Sequence, residues 1–228
     1  MSESKDPRRA RTRAALVEAA QALLIEDRTN VSVLEITQLA GVGQGSFYNH
    51  FGSKDELFAA AVDDVLEQHG ALMDRVTDGV EDPAEVFARA FRLTGRLHRL
   101  LPGASQVILR HGLDLVTSDR GLAPRARRDI ASGLKAGRFA IGDAELALVT
   151  VAGATLALGQ LLHAEPERDA AGAADLLAAD LLRMLGLPAR EADEVVSRPL
   201  PDLEELMIEP APSGSRHRRS SSTTYADS

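Results

Sequence analysis

The chain is predicted to be all-α, with a three-helix N-terminal head followed by a helical body. Apolar residues recur at spacings of three and four along most of its length, the period of a helix that buries one face. There is no sustained alternation of apolar and polar residues to build a strand, and no glycine-rich phosphate loop. Between Val31 and Phe58 two short helical segments meet at a tight turn, the outline of a helix-turn-helix.

Lys5, Arg8, Arg9, Arg11 and Arg13, opposed only by Asp6, form a basic arm at the N-terminus. It can reach a phosphate, and it equally fits an ordinary unstructured terminus. From about Arg8 to Glu26, Ala15, Leu16, Ala19, Ala20, Leu23 and Leu24 make an apolar stripe, the first helix of the head. Arg28, Thr29 and Asn30 link it to the next helix. There Ser32 and Glu35 form a capping box, with Ser32 also able to bond a phosphate oxygen. Val33, Ile36, Leu39 and Ala40 are expected to bury one face, leaving Glu35, Thr37 and Gln38 in water. Gly41-Val42-Gly43 then breaks the helix, because glycine accepts the positive φ of a sharp reversal.

In the following helix Phe47 and Phe51 share the inward face. The opposite face presents Gly45, Ser46, Tyr48 and Asn49, with Gln44 in the first turn and His50 to one side. An ordinary surface helix shows lysine and glutamate, whereas these amides, hydroxyls and phenol can bond base edges or phosphates. The same pattern also fits a small polar helix of an ordinary bundle. Gly45 costs about 1 kcal/mol of helix propensity against alanine and lets backbone lie close to DNA. Ser53 with Glu56 is a second capping box, opening a long helix through Leu57, Phe58, Ala61, Val62, Val65 and Leu66 toward Asp74. Lys54 lies in its first turn, where a cation opposes the helix dipole. A DNA phosphate is the natural compensation, a solvated surface charge the alternative.

The run Ala40-Gly41-Val42-Gly43-Gln44-Gly45-Ser46-Phe47-Tyr48-Asn49-His50-Phe51, with Lys54 and Leu57, resembles the signature of the tetracycline-repressor (TetR) family of bacterial regulators. Gly43 departs from the serine expected at the helix start, although glycine is also an acceptable N-cap. The resemblance implies double-stranded operator DNA as a partner, contacted by Ser32, Gln44, Gly45, Ser46, Tyr48, Asn49, His50 and Lys54. It further implies homodimerisation and a small-molecule effector, of unknown identity, bound in the body.

The remainder reads as helices. Pro83 opens a helix running from Ala84 to Leu101 and closed by Pro102-Gly103, and a short segment follows near Ser105 to Leu115. Gly121 to Pro124 leads into a helix with Ala126, Ile130 and Leu134 ending near Gly137. The phrase Gly133 to Asp143 resembles the family's loop before its dimer-forming helices. From Leu146 to Leu162 there is no charged residue, a length near the lower limit for a membrane span. Thr150, Thr155, Gln160 and several glycines dilute its hydrophobicity, no basic cluster flanks it, and Asp143 and Glu145 precede it, so no membrane is expected. A helix apolar all round is expected to be buried on all sides. Gly153, Ala157 and Gly159 permit close approach, and Leu176, Leu177, Leu181, Leu182 and Leu185 mark a second apolar helix. The resemblance implies that these two, near residues 143–163 and 169–185, pair with their symmetry copies in a four-helix interface; a purely intramolecular core is the alternative.

The expected domains are the head at 1–53, the body at 54–188 and a tail at 189–228, acidic and then rich in serine and arginine, expected to be largely disordered. Arg216, His217, Arg218 and Arg219 suit either DNA or solvent. With 228 residues and 44% hydrophobic content, a substantial core is expected. The net charge of −8 argues against nonspecific coating of nucleic acid, while the cations that matter are locally clustered. The absence of cysteine excludes disulfides and thiolate chemistry, and a cytoplasmic place is expected since no signal peptide is seen.

Catalysis finds no support in the sequence. The histidines show no HExxH or paired metal spacing, no nucleophile context is recognisable, and no cofactor is expected. The effector pocket, inherited from the resemblance, is placed among Phe58, Met73, Phe87, Phe91, Thr94, His98 and His111, where a histidine can donate to a ligand. The expectation is a sequence-specific DNA-binding regulator, a ligand-responsive repressor of a pseudo-palindromic operator. Its rival is a small-molecule binding or sequestering protein that has lost operator binding.

Overall fold

The computed structural model describes residues 7–116 and 122–202. Lys5, Gly121 and the chain beyond Asp202, including Arg216 to Arg219, lie outside the described residues. Those described form α1 (Pro7–Ile25), α2 (Val33–Leu39), α3 (Gln44–Tyr48), α4 (Lys54–Val76), α5 (Pro83–Leu100), α6 (Pro102–Val116), α7 (Leu122–Lys135), α8 (Ala144–Ala164), α9 (Ala170–Met184) and α10 (Ala189–Val196). No strand occurs among them.

The head is held by one apolar cluster that joins Leu16, Ala20 and Leu23 of α1, Ile36 of α2, Phe47 and Phe51 around α3, and Leu57 and Ala61 of α4. Its helix starts are capped as their sequences require: Ser32 Oγ accepts from the Glu35 amide and Ser53 Oγ from the Glu56 amide, both at 3.1 Å. The return bond of the second box shifts by one residue, the Glu56 carboxylate accepting from the Gly52 amide at 2.7 Å. Glu35 makes no such return and pairs with Arg28. Gly41 adopts φ of +65°, which makes the turn between α2 and α3.

The buried face of α2 is rotated from the expected one. Thr37 is 1% exposed and donates to the Leu34 carbonyl at 3.0 Å, whereas Leu39 is 55% exposed. The inward stripe is Val33, Ile36, Thr37 and Ala40, a complete i, i+3, i+4, i+7 set, and Leu39 falls about 100° to one side of Ala40. A threonine tolerates the inside because its hydroxyl bonds the preceding turn.

In the body α5 packs along α9 and α8, and α7 closes against α8 and α5. Phe87, Phe91 and Phe139 build the centre of one cluster with Leu148, Leu158 and Leu182. Met73, Leu72, Val76, Leu93 and Leu97 form a separate, smaller one where α4 ends. Helix α6 ties head to body: the Arg110 guanidinium donates to the Leu24 carbonyl at 2.6 Å, and Val107 and Ile108 enter the head cluster.

One further expectation, the end of the body, is corrected. Helix α8 keeps one side open within the single chain. Ala147, Leu148, Val151, Leu158 and Leu162 face inward, while Leu146 (65% exposed), Val149 (54%) and Leu161 (38%) leave an apolar stripe in the open. On α9, Leu176 is 73% exposed and Met184 38%. The body also continues past Pro188, since α10 inserts Ala192 and Val195 against α9 and α5. Ala192, Val195 and the partly buried Val196 are all that this short acidic helix turns to the core, too few to stand out from its charges.

Candidate nucleic-acid interface

Helix α3 is anchored by what it buries. Phe47 is fully buried and Phe51 is 3% exposed, their rings 6.1 Å apart, and Arg13 lies over the Phe51 ring at 5.2 Å. The other face is open: Gln44, Gly45, Tyr48 and Asn49 are exposed, and Ser46 and His50 are half-buried. Gly43 caps the helix with extended backbone and no side-chain bond, so the cap itself presents no side chain at the helix start. Tyr48 sits edge-on to Phe47 at 5.2 Å, which orients its phenol outward.

The start of α1 runs beside this helix. The Arg9 guanidinium donates to the Asn49 carbonyl at 3.4 Å, and Arg8, Arg9, Thr12, Ser46, Asn49 and His50 line a cleft of about 440 Å³. Burial, and after it the charges of Arg9 and Arg13, lower the His50 pKa below the ordinary histidine value. His50 is therefore a neutral hydrogen-bonding ring at neutral pH, not a third cation. The cleft can hold an anion between two guanidiniums with hydroxyl and amide groups beside it, the chemistry of a phosphate contact next to a groove-reading helix. The sequence marks Arg8 and Arg9 only as part of a basic arm and Thr12 not at all, because their approach to Asn49 is a tertiary contact.

Lys54 is placed differently from a simple surface anchor. Its ammonium donates to the Val31 carbonyl at 2.7 Å, spanning the helix-turn-helix from α4 to the approach of α2. Ser32 is exposed and already accepts the α2 cap bond.

The residues placed around an effector pocket divide among several regions. Phe58 belongs to the head cluster, Phe87 and Phe91 to the large body cluster, Met73 to the small one, and His111 is half-buried on α6. Thr94 does meet Met73, its hydroxyl lying 3.6 Å from the sulfur, and it also bonds His69 Nε2 at 2.9 Å. His98 joins a different chain: its Nδ1 lies 2.6 Å from Ser105 Oγ, which lies 2.8 Å from His163 Nε2. His98 Nε2 is buried without a hydrogen-bond partner, a condition that costs about 1–3 kcal/mol. Burial pushes both His98 and His69 down to about 4, helped by His163 at the first and by His98 and Arg125 at the second.

Where α4 crosses α7, Arg125 bonds Asp74 at 2.8 Å and Glu67 at 2.9 Å. Its guanidinium lies directly on Gly70, where a Cβ would come within 2.4 Å of Nη1. Arg128 adds a bond to Asp74 at 3.0 Å. These pairs hold α4 on the body, and nothing in the local sequence of either helix announces them.

Fold and surface together define a helix-turn-helix DNA-binding regulator with a helical C-terminal body. Residues 16–61 match the model for bacterial regulatory proteins of the tetR family, and residues 82–198 that for the tetracyclin repressor-like C-terminal domain. RolR in complex with the ligand resorcinol is 35% identical with a TM-score of 0.60, the match covering 86% of this chain and 97% of that one. RolR without ligand is 35% identical with a TM-score of 0.57, over 83% and 98%. A TetR-like transcriptional regulator from Rhodococcus sp. RHA1 shares the fold at 23% identity and a TM-score of 0.57, over 78% and 97%. No match is found among curated proteins. The chain belongs to the TetR family of bacterial transcription regulators.

Proposed function

We propose that this chain is a ligand-responsive repressor that binds a pseudo-palindromic operator as a homodimer in the cytoplasm. The observation that carries the reading is the division of α3: Phe47 and Phe51 are buried while Gln44, Gly45, Tyr48 and Asn49 stand exposed beside the Arg8 and Arg9 cleft. Two such helices enter successive major grooves. Gln44, Ser46, Tyr48 and Asn49 read base edges, while His50, Ser32 and the arginine cleft hold phosphates and Lys54 adds charge nearby. The head spans residues 1–53 and the body begins at 54, continuing through α10, with the tail after it.

The exposed apolar stripes of α8 and α9 support pairing of these helices with their copies. The likeness to RolR, captured with resorcinol, supports a small hydroxylated aromatic effector. Such an effector acts by favouring a head spacing that does not fit the operator.

The test is to expose the protein to a random double-stranded DNA library at near-physiological salt and sequence what is retained. An enriched inverted repeat is expected. No enrichment by a folded, dimeric protein overturns the reading in favour of a small-molecule binding protein.

A further inference from the structure

After α10 the chain returns over α5 to the far end of α4. Arg92 of α5 is 6% exposed, and a guanidinium so enclosed must find its acceptors inside the protein. Its Nε and Nη2 donate to the Asp175 carboxylate at 2.9 and 3.2 Å, but Arg96 bonds the same two oxygens at 2.8 and 3.1 Å. The Arg92 Nη1 donates instead to the Arg198 carbonyl at 2.9 Å, which fixes the backbone just past α10. The Arg198 side chain pairs with Glu85 and, at 3.5 Å, with Asp82, at the start of α5.

Two routes lead from there to the last turn of α4. Glu85 also holds Arg89 at 2.6 Å, and Arg89 donates at 3.1 Å to the Val76 carbonyl, one of those that a helix end leaves without an internal partner. Two residues beyond Arg198, Leu200 packs on the small cluster formed by Leu72, Met73 and Val76 of α4 with Leu93 and Leu97 of α5. Leu200 lies past residue 198, where the match to the family's C-terminal domain ends.

We propose that Arg198 and Leu200 are positioning residues for operator recognition: the strap they form fixes the far end of α4 and, through that helix, the presentation of α3. This rests on the reading of the chain as an operator-binding regulator. Helix α4 is continuous from Lys54, which bonds the Val31 carbonyl of the head, to Val76, so a shift of its far end reaches the head. The strap secures that end twice, by ion pairs that lead to the Val76 carbonyl and by a side chain that covers Met73 and Val76. When the end is loosened, the head samples more orientations against the body, and the fraction that fits the operator falls. Because the strap works through geometry, its loss weakens binding without altering which bases are preferred.

The experiment uses full-length protein carrying Leu200→Ala, Arg198→Ala or Leu200→Met. The chain has no cysteine, so Glu18→Cys in the head and Glu167→Cys in the body, both exposed positions, each take one nitroxide label. Pulsed electron spin resonance, with labelled protein diluted in unlabelled protein, then reads the head-to-body distance within one chain. Leu200→Ala is expected to shift or broaden that distance by about 2–3 Å. It should also weaken binding to the inverted repeat selected by the wild type about fivefold or more, with an unchanged base profile. Leu200→Met, which refills the cluster, is expected to restore both. Arg198→Ala keeps the carbonyl for Arg92 and is expected to act in the same direction as Leu200→Ala, and it carries the test if that variant does not fold. Wild-type distances in both folded alanine variants overturn the proposal. Affinity lost at an unchanged distance, or with an altered base profile, does the same. An enriched repeat with no change of distance in the variants overturns the strap and leaves the regulator. A changed distance in a protein that enriches no repeat leaves the hold on α4 and overturns the operator reading.

Discussion

The Lys54 ammonium, at the first turn of α4, reaches back to the Val31 carbonyl at 2.7 Å and so closes the helix-turn-helix on itself. A charged hydrogen bond of this kind contributes about 2 kcal/mol. Lys54→Ala is therefore expected to lower the melting temperature of the protein without DNA, and to weaken all DNA sequences alike with a shallower salt dependence. A salt slope equal to that of the wild type would leave Lys54 as a tie within the head and remove it from the phosphate contacts.

Asn49 offers its side chain outward and its carbonyl to Arg9. Asn49→Ala leaves the carbonyl in place, so the fold of the head should survive while base preference changes at particular operator positions by about 1–3 kcal/mol each. Selection from a random library compares the profiles directly. An unchanged profile would take this residue out of the readout.

Gly70 is the seat of the Arg125 guanidinium. Gly70→Ala should expel it and break the bonds to Asp74 and Glu67, as Arg125→Ala does by deletion. Both variants should shift operator affinity in the same direction, and the double variant should be no worse than the worse single one. Additive effects in such a cycle would show that Gly70 does not act through Arg125.

The buried histidines His69 and His98 make stability depend on pH. His69 and His98 titrate at about 4 in the folded chain against the ordinary 6.5, so between these limits the unfolded chain binds more protons. Stability is fully present above pH 6.5 and falls as pH drops toward 4, by a few kcal/mol for the pair. Asp74, Asp82, Asp175, Glu67 and Glu85, all held below their ordinary values, extend the loss to lower pH. Chemical denaturation at about pH 7.5, 6 and 5 should show the decline, and His98→Phe should flatten it above about pH 5.

Leu176 and Val149 are the exposed centres of the α9 and α8 stripes. Leu176→Arg with Val149→Arg should convert a dimer to a folded monomer in sedimentation velocity and lower operator affinity. A dimer that persists would place the interface elsewhere.

The head was legible because its signals are local. Ser32, Gly41, Ser53 and the Phe47 and Phe51 pair each act within one or two turns, and each sits where the sequence pattern places it. Thr37 and Leu39 exchange places because a hydroxyl that bonds its own helix is nearly as comfortable inside as a leucine, so hydrophobicity alone misjudges the phase. The contacts of His69 with Thr94 and of Ser105 with His98 and His163 are hidden for a different reason. His69 and Thr94 are 25 positions apart and Ser105 and His163 are 58 apart, and no period along the chain brings such residues together.

Helix α4 is unbroken for 23 residues, beginning beside the reading helix and ending where Met73 and Val76 pack in the body. At 1.5 Å per residue it is a rod of about 34 Å. Tilting such a rod by about 5° around its far end carries the near end through about 3 Å, close to the spacing of successive base pairs along one DNA strand. A displacement inside the body no larger than a side-chain rearrangement is thus enough to shift α3 by the spacing of one base pair.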